Sequence, residues 1–569
     1  MLDLENVSLV VGEVSPVALL QGIDLHFGGS GGTGGQLVAV LGPSGCGKST
    51  LLKVIAGLLE ESGGTIRWRG KDVGEDGEFE SHEVGYVPQF SIAHEKLRVW
   101  ECVEDAVRLR CGGLDGAQVD GRVDAVLREV GMEGIAEKRV EVLSGGQLRR
   151  VGLGMELVSE PQLLLCDEVT SGLDPRSEDE ITHLMKSVAS KGRIVLNITH
   201  SLRNLELYDS VVVLFQGRLA FHGPPGEIPH YFGISHHEEL YPRLTENAPE
   251  EWAAAWRENG EGYEGLIGCQ PGEKRAVGVE SAGAEGVASG WVQFWVLFKR
   301  RWRLLGRDAG QIKLQLALLF GFPCLVVIFA LNGLPALRAA AELPEDPLRQ
   351  LVSDFSTKLE YLKVGGTVSG LIMFQVVLLT LMGANNAARE IAGERRILEK
   401  EKFSGLSPWA YVASKVAFLV VLVAVQSLWM AVFVNSVIRM PGNLALQSLF
   451  LILVNGAMTA TSLGISGVMR TAEQSSLVSV YLVGFQLPLS GAVLALPEWL
   501  GRLTRPFIAS YWGWSGFLQT LEETRFYNAV VQMIQTPLMS MSAVVWVLGC
   551  HCVLGVVLGY IGSRESRWS

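Results

Sequence analysis

A chain of 569 residues exceeds one ordinary folding unit, and 48% hydrophobic residues with a mean hydropathy of +0.27 point away from a wholly water-soluble protein. A formal net charge of −12 argues against a nucleic-acid groove, so no nucleic-acid partner is expected. Eight cysteines show no metal-ligand spacing, and none falls in a segment expected outside a membrane, which argues against a disulfide framework. The opening Met1-Leu2-Asp3-Leu4-Glu5 has neither a basic n-region nor an apolar h-region; no signal peptide is expected, and the first half is expected to stay in the cytoplasm.

In chain order, Leu4 to Val11 and Leu19 to Phe27 predict two strands. The glycine-rich tract from Gly28 to Gly35 reads as an enlarged hairpin loop, and it fits a phosphate loop poorly because no lysine follows it. Leu37 to Leu41 predicts a strand that runs into Gly42-Pro43-Ser44-Gly45-Cys46-Gly47-Lys48-Ser49-Thr50 and a helix from Leu51. This is the G-x-x-x-x-G-K-[ST] pattern in its strand-to-helix setting. The glycines let backbone N–H groups turn inward around phosphate oxygens, and the helix N-terminus adds partial positive charge. Lys48 is expected to reach the β- and γ-phosphates, and the Ser49 hydroxyl to ligate Mg²⁺.

Gln89 follows the strand-like Val84 to Pro88 and has two readings: a polar residue ending a strand, or a contact to Mg²⁺ and water that reports nucleotide state. Helical periodicity from about 91 to 142 leads to Leu143-Ser144-Gly145-Gly146-Gln147 and a basic-apolar helix. Leu163-Leu164-Leu165-Cys166 is an apolar run too short for a helix, ending in the adjacent carboxylates Asp167 and Glu168. It reads as a buried parallel strand whose carboxyl end faces a ligand.

Together these motifs resemble the nucleotide-binding domain of an ABC transporter, and Leu143 to Gln147 is close to diagnostic. Asp167 matches the end of the Walker B strand, Ser171-Gly172-Leu173-Asp174 the D-loop, and Ile198-Thr199-His200 the switch strand and its histidine. The resemblance implies that Asp167 holds Mg²⁺, Glu168 polarises the attacking water, and His200 orients that water against the γ-phosphate. It also implies that Ser144, Gly145, Gly146 and Gln147 close over ATP held by a second subunit, with Asp174 beside it. One phosphate loop and one signature per chain then require two chains, a homodimer with two shared ATP sites. Leu9-Val10-Val11 stands where the family often stacks adenine on an aromatic residue, and Val169 where a proline is common.

Beyond about residue 232, the stretch from Tyr231 to Trp252 resembles the end of the ATPase domain in the White-like, or G, subfamily. Residues 233–313 are expected to form a junction with a glycine-rich linker at 260–290. An amphipathic helix carrying Trp291, Phe294, Trp295, Phe298 and Lys299 to Arg303 is expected on the cytoplasmic leaflet; a nucleic-acid patch is the weaker reading of its arginines. Six apolar runs follow, near 314–333, 364–384, 416–438, 446–469, 475–496 and 540–562, each near the ~20 residues a helix needs to cross hydrocarbon. Basic residues before the first run and after the second, fourth and sixth place both termini in the cytoplasm. Pro497 to Leu500 fits a re-entrant or interfacial turn.

The charged loop Arg389 to Lys415 is either a solvated face or, by the resemblance, the segment that docks on the ATPase domain. Gln375, Gln426, Asn435, Asn455 and Gln486 can line a pathway or hydrogen-bond between helices. Gly366 and Gly370 form a G-x-x-x-G pair. The expected architecture is an α/β P-loop NTPase with a helical subdomain at 1–232, then an all-α membrane domain of six helices at 314–569. The expected function is that of a homodimeric half-transporter in the plasma or inner membrane, exporting an amphipathic or lipid-like compound with ATP and Mg²⁺. A membrane ATPase doing mechanical work on a protein or lipid is the alternative.

Overall fold

The computed structural model describes residues 2–12, 16–28, 35–73, 79–80, 82–90, 92–267, 286–331, 355–492 and 496–565. The chain divides into two compact units: one runs to Gln293 and includes Lys400–Leu406, the other comprises Phe294–Glu399 and Ser407–Arg567. The glycine-rich tract at 29–34, most of the linker at 268–285 and the segment 332–354 lie outside the described residues.

Two sheets organise the first unit. β1 (Leu2–Val11) pairs antiparallel with β2 (Val17–Phe27) and with β4 (Gly63–Trp68), and β5 (Lys71–Asp72) completes an antiparallel sheet of order β2-β1-β4-β5. The second sheet contains β3 (Gln36–Leu41), β6 (Val84–Val87), β7 (Leu163–Cys166), β8 (Ile194–Ile198), β9 (Ser210–Phe215) and β10 (Arg218–Gly223), in the order β10-β9-β3-β8-β7-β6. All its pairings are parallel except β10 with β9. Every residue of β3, β6, β7 and β8 is buried, which explains why these strands are continuous apolar runs rather than alternating ones. The register sets Val87 beside Cys166, Cys166 beside Asn197, and Val40 beside Ile198, so four carboxyl ends finish flush on one sheet edge.

The expected helical part is formed by α2 (Val99–Arg110), α3 (Gly116–Glu129) and α4 (Gly145–Leu157), following α1 (Lys48–Ile55). Asp115 with Gln118 caps α3, and Ser144 with Gln147 caps α4, each pair exchanging side-chain and backbone hydrogen bonds. Folded structure continues past residue 232. Helix Pro249–Glu264 seats Trp256 at 5.6 Å and Tyr263 at 5.8 Å from the Phe221 ring, and Trp252 at 5.1 Å from Phe232. Aromatic packing of this kind, dispersed over about forty positions of sequence, draws the beginning of the expected junction into the first unit.

A buried ion cluster ties α2, α4 and the Lys400–Leu406 segment together. Arg110 grips both Glu156 oxygens at 2.8 and 2.9 Å, and Lys400 Nζ lies 3.0 Å from Glu156 Oε1. Burial opposes the charged carboxyl, yet Arg110 and Lys400 outweigh it and hold the Glu156 pKa at about 2, below its ordinary 4.5. A lowered carboxyl pKa contributes stability that is complete above about pH 4.5 and is lost as the pH falls toward about 2. Glu156→Gln leaves two buried cations short of a countercharge, a cost of about 3 kcal/mol at pH 7. Thermal melts should therefore show a depressed Tm for this variant at pH 7 and a narrowed gap to the wild type at pH 3; an equal gap at both pH values would contradict the assignment.

The second unit is helical. Among the described residues five stretches are long and apolar enough to cross a membrane: Ala309–Ala330, Leu362–Phe403, Pro408–Ile438, Leu444–Val468 and Met541–Arg564. The fifth expected run, 475–496, departs from that pattern. Its helix, Ala472–Gln486, has 15 residues and gives way to a 3-10 turn at Pro488–Ser490, because proline cannot continue the helical hydrogen bonding. At 1.5 Å per residue it spans only about 22 Å, short of the hydrocarbon thickness. Pro497 precedes a short helix, Glu498–Thr504, and the following helix Ala509–Gln519 is almost wholly buried.

Of the expected glycine pair, Gly366 packs against Met533, whose sulfur a Cβ there would meet at 3.2 Å, but Gly370 does not. A Cβ at Gly370 would meet open space, whereas one at Gly555 would sit 2.3 Å from the Ala460 carbonyl oxygen, so helices Leu444–Val468 and Met541–Arg564 touch backbone to backbone.

The intrahelical polar residues divide. Gln426 bonds Asn386 and Gln315, and Asn455 reaches both Gln426 and Ser427, a buried amide clasp joining four helices. Gln486 accepts from the Ser510 N–H at 3.0 Å. The side-chain oxygens of Gln375 and Asn435 are buried without a hydrogen-bond partner among the described residues. The charged loop is no solvated face either. Glu390, Arg395, Glu399, Lys400 and Lys415 are all buried; Arg301 and Lys415 pair with Glu390, and Arg395 donates to carbonyls of Gly562 and Met469.

Candidate active site

The flush carboxyl ends of β3, β6, β7 and β8 deliver the residues singled out in the sequence to one edge of the sheet. Gly42 to Gly47 leave β3 and wind into α1 at Lys48. Gly47 adopts φ 101°, and a Cβ at Gly42 would lie 2.3 Å from the Leu214 carbonyl oxygen; both positions demand glycine. Lys48 is 5% exposed, and its ammonium donates to the carbonyls of Gly42 at 2.8 Å and Pro43 at 2.9 Å, so the loop is wound around its own cation. Thr50 continues α1, while Ser44, Gly45 and Cys46 line a cleft of about 380 Å³ bounded also by Phe215 and Asn247.

Two adjacent carboxylates are held differently. Ser49 Oγ donates to Asp167 Oδ1 at 2.8 Å, and the Tyr86 hydroxyl donates to Oδ2 at 3.1 Å. Burial nevertheless keeps the Asp167 pKa above its ordinary value, against those two hydrogen bonds. A poorly solvated carboxylate beside a hydroxyl is a hard oxygen pair of the kind Mg²⁺ takes, so these residues fit that ion. Glu168 stands just outside the strand at φ 50°, a left-handed conformation that a non-glycine residue adopts only when its surroundings impose it. They do: His200 Nε2 lies 2.8 Å from Glu168 Oε1, and Gln89 Nε2 donates to Oε2 at 2.8 Å. One carboxylate is thus aimed by residues from two other strands.

The signature residues are placed apart. Ser144, Gly146 and Gln147 line a second cleft, of about 360 Å³, together with Arg150, Arg176 and Ser177, and this cleft shares no lining residue with the one at the phosphate loop. Gly145 opens α4, and Asp174 caps α5 (Pro175–Ala189), accepting from the Ser177 N–H at 3.1 Å and hydroxyl at 2.6 Å. Val10 and Val11, at the position noted for adenine, are exposed ends of β1.

Sequence reasoning passed over two neighbours. Arg149, on α4, donates to the Gln89 carbonyl and so links the signature helix to the loop after β6. In the sequence Tyr86 reads only as part of a strand. Its side-chain contact to Asp167 crosses 81 positions of sequence, and no local pattern announces such a pair.

Comparison with known proteins agrees with this geometry. The family model described as ABC transporter matches residues 33–171, and the one described as ABC-2 type transporter matches residues 292–517. An ABC transporter ATP-binding/permease protein of Mycobacterium tuberculosis, Rv1747, is 31% identical over 480 residues, covering 81% of this chain and 51% of its own length. ABC transporter G family member 26 of Arabidopsis thaliana is 32% identical over 233 residues, 39% of this chain and 33% of its own. The sulfate/thiosulfate import ATP-binding protein CysA of Bacillus cereus is 34% identical over 198 residues, 34% of this chain and 55% of its own, so likeness in the ATPase part alone does not separate import from export. The chain spans about half the length of the curated relatives it matches, or less.

Proposed function

Because the chain belongs to the ABC transporters, with its ATPase domain ahead of an ABC-2 type membrane domain in the order of the G family, we propose that two copies form an ATP-driven exporter of an amphipathic or lipid-like compound. The supporting observation is that Lys400–Leu406, lying in sequence between the apolar helices Phe355–Ala387 and Pro408–Ile438, folds as part of the ATPase unit. Any movement of that unit is thereby passed covalently into the helices on either side.

In this reading residues 42–50 bind the phosphates, with Lys48 leaving its own loop's carbonyls to meet the β- and γ-phosphate oxygens. Ser49 and Asp167, with Gln89 as the third expected contact, would hold Mg²⁺, which when bound would neutralise charge on those oxygens. Glu168 accepts a hydrogen bond from the attacking water, while Gln89 and His200 fix the direction of that carboxylate. Phosphoryl transfer depends on positioning and electrostatics more than on covalent chemistry, so three oriented side chains suffice. Ser144 to Gln147 and Asp174, set in their own cleft, close on the nucleotide of the partner. ATP drives the cycle because it binds the closed pair better than the open one. The ATPase unit and both termini face the cytoplasm, by the distribution of arginine and lysine around the apolar helices.

The test is purified protein in vesicles carrying a fluorescent phospholipid analogue, with ATP supplied on the side of the ATPase domain. ATP-dependent loss of the analogue from that leaflet is expected. Hydrolysis that persists with no analogue or other extracted lipid moved would favour mechanical work on a partner protein instead.

A further inference from the structure

We infer that Tyr86 is a positioning residue for Asp167, and that it is the point at which the Lys400–Leu406 segment acts on the metal ligand. Tyr86 is the third residue of β6, paired with Leu165 of β7, and 2% exposed. Its hydroxyl donates to Asp167 Oδ2, the oxygen opposite the one bonded by Ser49. Three residues on, in the loop that follows the strand, Gln89 donates to Glu168. β6 and the loop after it therefore address both carboxylates, one through a ring and one through an amide.

The ring has a second neighbour. Phe403 approaches it edge-on, with centroids 6.2 Å apart and planes at 70°. The segment bearing Phe403 is pinned on both sides: Lys400 by Glu156 at 3.0 Å, and the Gly405 carbonyl by Gln293 Nε2 at 3.1 Å, the same amide that donates to the Leu109 carbonyl. With its flanks fixed to α2 and α4, the segment has little freedom except to shift as a body. Such a shift presses the Phe403 ring against the Tyr86 ring, and rotation of Tyr86 about its Cα–Cβ bond swings the hydroxyl that donates to Asp167. Residues that hold a metal ligand in orientation typically change metal affinity by tenfold or more when removed.

The inference rests on Asp167 being the Mg²⁺ ligand, and the test separates the two. Full-length protein in vesicles is titrated with Mg²⁺ while binding of a fluorescent ADP analogue is followed, for the wild type, Tyr86→Phe, Phe403→Ala, Phe403→Leu and the Tyr86→Phe/Phe403→Ala pair. In Tyr86→Phe the Mg²⁺ concentration for half-maximal binding should rise about tenfold, with nucleotide binding in EDTA unchanged. Phe403→Ala should raise it about threefold, Phe403→Leu should restore it, and Phe403→Ala should add nothing once the hydroxyl is gone, since coupled sites are not additive. A Tyr86→Phe titration within twofold of wild type overturns the inference, as does a Phe403→Ala shift undiminished in the double variant. A wild type whose nucleotide binding ignores Mg²⁺ removes Asp167 from the metal site itself. Should Tyr86→Phe fail to fold, the Phe403 pair still decides: equal titrations for Phe403→Ala and wild type contradict the route.

Discussion

Glu168→Gln is expected to lower steady-state ATP turnover by about 10²–10³-fold while leaving ATP binding intact. The substitution keeps the side chain's length and shape, and the left-handed backbone at φ 50° is unaltered. What changes is charge. The carboxylate oxygens now lie 2.8 Å from His200 Nε2 and 2.8 Å from Gln89 Nε2, and an amide offers one oxygen where the carboxylate offers two. The amide oxygen can still accept from Gln89, the amide N–H can donate to His200 only where Nε2 is the acceptor, and the negative charge that draws a proton from water is gone. Lys48, Ser49 and Asp167 make no use of Glu168 in their hydrogen bonds, so nucleotide binding should persist. Phosphate release measured beside retention of a fluorescent ATP analogue checks both halves. Turnover within threefold of the wild type would remove Glu168 from its assigned role.

Most of the ATPase edge was legible in the sequence because its parts are local. A strand ending in Gly42, a glycine loop and a helix starting at Lys48 occupy consecutive residues, and Leu163 to Glu168 carries its burial and its chemistry in six letters. The same holds for Ser144 and Gln147, whose reciprocal capping fits within one helical turn. What escaped was non-local. Tyr86 to Asp167, Arg149 to Gln89 and the Arg110–Glu156–Lys400 cluster join positions between 46 and 244 residues apart, where neither periodicity nor spacing carries information. In the membrane half one expected run is interrupted. Hydropathy merged Ala472–Gln486 with the residues beyond Pro488 into one span, since composition averages over a break that a single proline makes. Charge composition likewise left the loop at 389–415 undecided, because only burial separates an ion cluster from a solvated face.

The second large effect concerns sharing of the ATP sites. If the phosphate-loop cleft of one copy meets the Ser144 cleft of the other, each site needs one healthy half from each chain. Lys48→Ala disables a phosphate loop, and Ser144→Arg fills a signature cleft with a long cation. Two differently tagged chains allow both arrangements to be purified as mixed pairs. A Lys48→Ala chain joined to a Ser144→Arg chain retains one intact shared site, whereas a doubly substituted chain joined to a wild-type chain retains none. The account predicts about half of wild-type ATP turnover for the first pair and background for the second, treating the two sites as independent. The opposite pattern, a silent first pair and a half-active second, would mean that each chain hydrolyses ATP with its own signature, and would contradict the account.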